Sequence, residues 1–127
     1  MPHLIIEYSA NVATTVDVGA LVDTMHEVAL ATGVAALDAL RTRAVGRDLY
    51  AIADRHPDNA FVAVTIRLGA GRTSSQKRAV VAALMDALDD ALADVRDTVM
   101  LSVECQEIDT DLRMNRNHLR PRVAARN

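Results

Sequence analysis

Ala60-Phe61-Val62-Ala63-Val64-Thr65-Ile66-Arg67-Leu68-Gly69-Ala70-Gly71-Arg72-Thr73-Ser74-Ser75-Gln76 decides the fold. Residues 60–68 are rich in branched side chains and predict a strand. Gly69 to Arg72 is a turn, and Thr73-Ser74-Ser75-Gln76 is a Thr-x-x-Gln capping box that opens a helix. Downstream, Val80, Val81, Leu84, Leu88, Ala91, Leu92 and Val95 form one long apolar stripe. Residues 98–108 then supply another strand. The passage is therefore a strand, a helix and a strand.

Upstream, the same order is already present. Residues 3–8 read as a short strand and residues 11–15 as a polar connection. Asp17 is placed to cap a helix whose apolar positions are Leu21, Val22, Met25, Val28 and Ala29. Gly33 ends that helix. Leu37 to Val45 predicts a second strand, with Arg41 and Arg43 on one face because side chains alternate along a strand. Turn residues dominate 46–59, with room for a short strand at 49–53.

The chain is thus a repeat of architecture. Right-handed crossovers make each half a βαβ unit. The expected fold is α+β: two tandem βαβ units, about 2–57 and 58–127, in a single domain. They form a four-stranded mixed sheet with two helices on one face. The opposite face would be bare and aliphatic, which argues for oligomerisation.

Composition narrows the function. A chain of 127 residues is one domain with a real core. Half the residues are hydrophobic but only Tyr8, Tyr50 and Phe61 are aromatic, so the core is aliphatic. A net charge of -3 gives no general attraction to nucleic acid or acidic lipid. The basic tail, with Arg113, Arg116, Arg120, Arg122 and Arg126, lacks aromatic partners for bases and reads as a solvated or subunit-packing segment. Cys105 is alone, no signal peptide opens the chain, and no apolar run approaches the ~20 residues that span a bilayer. A cytoplasmic protein without a membrane or nucleic-acid partner is expected.

Most motif matches are bland. Gly69-Ala70-Gly71-Arg72 lacks a dinucleotide fingerprint and reads first as a tight turn, although Arg72 ahead of a helix suits a carboxylate. Ser74-x-x-Lys77 is accidental, because Lys77 is the only lysine and no Lys-Thr-Gly element exists. His3, His26, His56 and His118 show no metal-ligand spacing. His26 reads as solvated, and His3 as structural, pointing away from Pro2. Arg41 is sharper, since a βαβ crossover brings its strand beside the first.

Pro2 is the unusual residue. With Met1 removed it is a secondary amine at a strand end; with Met1 retained it is an amide without basicity. An α-amine titrates near ~8, and desolvation with nearby arginines lowers that value. So tuned, it can act as base and then acid near neutral pH.

Pro2-His3-Leu4-Ile5-Ile6-Glu7-Tyr8-Ser9-Ala10-Asn11 closely resembles the 5-carboxymethyl-2-hydroxymuconate Delta-isomerase family. The likeness continues through Ala31-Thr32-Gly33, Leu40-Arg41-Thr42-Arg43, Ala53-Asp54, Asp58-Asn59-Ala60-Phe61-Val62 and Gly69-Ala70-Gly71-Arg72. It runs nearly the whole chain. Ala63 stands where family members often carry histidine, and Gly46 to Tyr50 is altered.

The resemblance implies a tautomerase-superfamily fold, a homotrimer and Pro2 as proton carrier. It implies that Arg41 and Arg72 bind substrate carboxylates. Arg43 is either a third contact or a structural ion-pair residue. The implied substrate is an enol with two or three carboxylates, isomerised to its 2-oxo-enoate in homoprotocatechuate catabolism. No cofactor or metal is required, because only a proton and double bonds move. Another tautomerase activity on an unsaturated acid, and a silent carboxylate-binding trimer, are the alternatives.

Overall fold

The structure, a computed structural model, describes residues 2–127. Met1, whose removal the proline chemistry needs, lies outside the described residues. The strands are β1 (His3–Ser9), β2 (Arg41–Arg47), β3 (Ala60–Gly69) and β4 (Val99–Ile108). The helices are α1 (Val18–Ala31), α2 (Ser74–Ala91) and a short C-terminal α3 (Arg120–Arg126).

The four strands form one sheet in the order β2-β1-β3-β4. β1 pairs parallel with β2 and β3 pairs parallel with β4, each pair joined through a helix. The halves meet where β1 and β3 run antiparallel. This is the expected mixed sheet.

Alternation sorts the side chains. Leu4 and Ile6 of β1, with Val62, Val64 and Ile66 of β3, point to one face and are buried. Leu21 and Met25 of α1 and Val80, Leu84 and Leu88 of α2 join them in one cluster. Both helices therefore cover the same face. Burying each such aliphatic side chain contributes roughly 1.5–3 kcal/mol.

Local signals hold where local chemistry decides. The Asp17 side chain accepts from Ala20 N at 3.1 Å. Thr73 and Gln76 form the reciprocal capping box, at 3.1 and 2.9 Å. Gly33, at φ 75°, and Gly71, at φ 116°, occupy the left-handed region that favours glycine.

Other expectations are corrected. β2 starts at Arg41 rather than Leu37, because Ala39 N and Leu40 N both bond Ala36 O in a turn. No strand forms at 49–53; Ala53 and Arg55 take positive φ, which breaks an extended run. Residues 10–14 wind into a 3-10 turn instead of a simple connection. His26 is not solvated but half-buried, with Nδ1 2.7 Å from Thr42 Oγ1, tying α1 to β2. The open sheet face is mixed rather than aliphatic: Arg41, Arg43 and Arg47 line its β2 edge, and Glu104 lies exposed on β4.

Candidate active site at the Pro2 end of the sheet

Pro2 immediately precedes β1 and is buried. Its carbonyl accepts from Arg41 N at 3.4 Å, which fixes β2 beside it. On the other side, β3 runs antiparallel past it, with His3 opposite Arg67. The Gly69–Arg72 turn therefore leaves the sheet at the Pro2 end. So does the 33–40 loop that feeds β2. Three loops or strand ends converge on one place.

Arg72 joins two of them. Its Nε and Nη2 donate to Val34 O at 3.1 and 2.8 Å, and its Nη1 donates to Gly69 O at 3.0 Å. A guanidinium carries five N–H groups, so these bonds leave one on each terminal nitrogen. That pair suits a two-pronged carboxylate contact. Arg72 is half-buried, and its position is held by backbone.

Arg41 and Arg43 project from the open face of β2, on either side of His3. Arg41 Nη2 lies 3.0 Å from His3 Nε2, and Arg43 Nη1 lies 3.0 Å from His3 Nδ1. Partial burial, then the charges of Arg41, Arg43 and Arg67, push the imidazole down to about 4. His3 is thus neutral at pH 7. A neutral imidazole has one nitrogen that accepts, so it can satisfy one of these guanidiniums and not both. The contrast lies along the same edge, where Arg47 Nε donates to Glu7 at 2.7 Å. Among the described residues no carboxylate pairs with Arg41, Arg43, Arg67 or Arg72.

Sequence reading singled out Pro2, Arg41, Arg43 and Arg72, and all four lie at this end of the sheet. Arg41 and Arg72 flank it from β2 and from the turn after β3. Arg43 has no ion-pair partner among the described residues and contacts His3 instead. Sequence reading missed Arg67 and the intermediate role of His3. The signal was the antiparallel register, which stacks position 3 on position 67 and is invisible without the strand pairing.

The tail also reaches this place. After β4, residues 109–112 turn back, and the Arg113 guanidinium packs on Gly69, where a Cβ would come within 2.9 Å of Nη2. Asn117 then donates to Asp38 O at 2.8 Å, and Arg120 pairs with the Asp38 carboxylate. The tail thus passes from the end of β4 to the start of β2, across the Pro2 end. A groove of about 740 Å³ lies elsewhere, between α2 and β4, beside Lys77, Val81, Met85 and Cys105. Pro2 and the four arginines do not line it.

Comparison with known proteins finds relatives over nearly the whole chain. The 5-carboxymethyl-2-hydroxymuconate isomerase family profile matches residues 2–123. The 5-carboxymethyl-2-hydroxymuconate Delta-isomerase of Escherichia coli is 28% identical over 94% of this chain and 96% of that protein. The crystal structure of a 5-carboxymethyl-2-hydroxymuconate isomerase from Deinococcus radiodurans R1 superposes with a TM-score of 0.89. It is 30% identical, over 96% of this chain and 93% of that one. A fused 4-OT symmetric trimer, 23% identical over 91% and 92% of the two chains, shares the fold at a TM-score of 0.63. With a family match over nearly its full length, the chain belongs to the 5-carboxymethyl-2-hydroxymuconate isomerase family.

Proposed function

We propose that this enzyme isomerises 5-carboxymethyl-2-hydroxymuconate to its 2-oxo-enoate isomer, with Pro2 as the proton carrier. The single observation that supports the reading most is the convergence of Pro2 with arginines that have no carboxylate of their own. An enol acid with several carboxylates supplies the missing charge.

The Pro2 nitrogen, free once Met1 is removed, takes the proton of the 2-hydroxyl group. The double bonds shift, and the proton returns from nitrogen to the far carbon of the diene. Arg72 and Arg41 hold carboxylates and offset the charge that grows on the 2-oxygen. Arg43 serves as a third contact. The cationic surroundings disfavour the prolinium ion, which keeps the amine basic in form near neutral pH.

Family membership supports a homotrimer, as does the apolar surface left on the single chain. Leu49 is 95% exposed, and Leu112 and Met114 are exposed above 80%. Placement in the cytoplasm, in the breakdown of aromatic acids, follows from the same reading. No helix among the described residues is long and apolar enough to cross a membrane.

Ultraviolet monitoring of the muconate conversion tests the chemistry. Pro2→Ala is expected to lower kcat at least ~100-fold, the scale of general acid–base catalysis. An unchanged rate would remove proline catalysis, and no turnover by wild type would leave only a carboxylate-binding protein. Activity confined to other unsaturated acids would keep the mechanism and replace the substrate.

A further inference from the structure

Among the side chains at the Pro2 end, Arg113 is the one with the least accounted-for position. It belongs to the tail, far in sequence from every other residue of the site. Its Nε is buried and has no hydrogen-bond partner among the described residues. Such an orphaned donor is costly and, being sealed from solvent, leaves only the terminal nitrogens to meet a ligand. Its guanidinium sits against Gly69, whose carbonyl already accepts from Arg72. Two like charges thus meet at one residue, with Arg67 two positions back along β3.

No acid pairs with Arg113 among the described residues. Glu107 pairs with Lys77 at 2.6 Å. Asp109 accepts from Asp111 N at 2.9 Å and caps the turn that leads to Arg113. Gly69 is itself informative: any side chain there would displace the guanidinium. Beyond Arg113, Asn117 and Arg120 clamp the tail to Asp38, so the residue is carried by a strap tied at both ends. That is how a side chain is held in place for a ligand.

We propose that Arg113 binds a carboxylate of the substrate and sets this site's preference for a tricarboxylate over a dicarboxylate. The proposal deepens the reading above and rests on it. A muconate has two carboxylates, which Arg41 and Arg72 accommodate. The carboxymethyl arm adds a third, and Arg113 is the additional cation that meets it. The uncompensated charge spread over Arg41, Arg43, Arg67, Arg72 and Arg113 is offset further by three carboxylates than by two.

The test compares wild type, Arg113→Ala and Arg113→Lys in the full-length protein. Turnover is followed on 5-carboxymethyl-2-hydroxymuconate and on 2-hydroxymuconate, which lacks the arm. In parallel, calorimetry measures binding of propane-1,2,3-tricarboxylate and of glutarate, the same carbon chain without the central carboxylate. Arg113→Ala should raise KM for the carboxymethyl substrate and weaken the tricarboxylate about tenfold or more, the scale of a charge-assisted contact. Values for 2-hydroxymuconate and glutarate should stay within about twofold, and Arg113→Lys should fall between. Equal loss on both members of either pair would mean that Arg113 only holds the strap, and would overturn the proposal. So would no loss, or a wild type that binds the tricarboxylate no better than glutarate. If wild type turns over neither muconate, the isomerase reading fails, while the calorimetry still judges Arg113.

Discussion

His3 shows how much chemistry one side chain can absorb when its neighbours are fixed. Between Arg41 and Arg43 it is neither a metal ligand nor a plain structural residue. Its imidazole resists protonation until about pH 4, whereas in the unfolded chain it protonates below about 6.5. Between those values the unfolded chain binds the extra proton, so folding stability falls as pH drops from 6.5 toward 4. Above 6.5 the contribution is fully present. Thermal unfolding at pH 7 and pH 5 should show a lower Tm at pH 5, and His3→Asn should shrink that difference. The half-exposed ring keeps the effect small. A pH dependence that His3→Asn leaves unaltered would assign it to other groups.

At the scale of elements, what the sequence makes legible is what neighbouring residues decide. The Thr73–Gln76 box, the Asp17 cap and Gly33 all act within a few residues, and each stands where expected. Removing the α2 cap by Thr73→Ala should cost about 1 kcal/mol, read from denaturant midpoints. The same substitution should disturb the Arg72 turn and so weaken carboxylate binding; intact binding would show that the three backbone bonds of Arg72 hold the turn alone. The predicted strand at 49–53 failed because branched composition there was outvoted by the positive φ of Ala53 and Arg55. The path of the tail was illegible for another reason. Arg120 meets Asp38 across 82 residues of sequence, and no local pattern encodes such a pairing. Of the candidate site, the nearness of Arg41 and Arg43 to Pro2 was legible from strand order, while Arg72 was singled out by its turn ahead of α2 and by the family resemblance. Arg67 and Arg113 were not, because the first depends on register and the second on the strap.

For the molecule as a whole, the proposed homotrimer would give the open sheet face and the exposed Leu49, Leu112 and Met114 a surface to pack against. Light scattering or native mass spectrometry of the purified protein should give three times the 13.7 kDa chain mass. A monomer at micromolar concentration would overturn the trimer. The bare face is mixed, not aliphatic, so an assembly through it would bury charge along with apolar area. Arg41, Arg43 and Glu104 lie on that face, and their substitution would report on subunit contacts as well as on chemistry.

The antiparallel seam between β1 and β3 carries one more consequence, for how unlike the two ends of the sheet can be. Two identical βαβ units sharing such a seam would be bound by symmetry: any change at one end of the sheet would be copied at the other. Joining them through residues 48–59 lifts that obligation. Ala60 now opens β3 where Pro2 stands ahead of β1, and as an interior residue it has no amine to offer. The liberated end has been given over to scaffolding, with Asn11 donating to Asn59 O at 2.8 Å and Asn59 donating to Asp54 at 2.7 Å. One end of the sheet thus presents Pro2, and the other is closed by side-chain bonds.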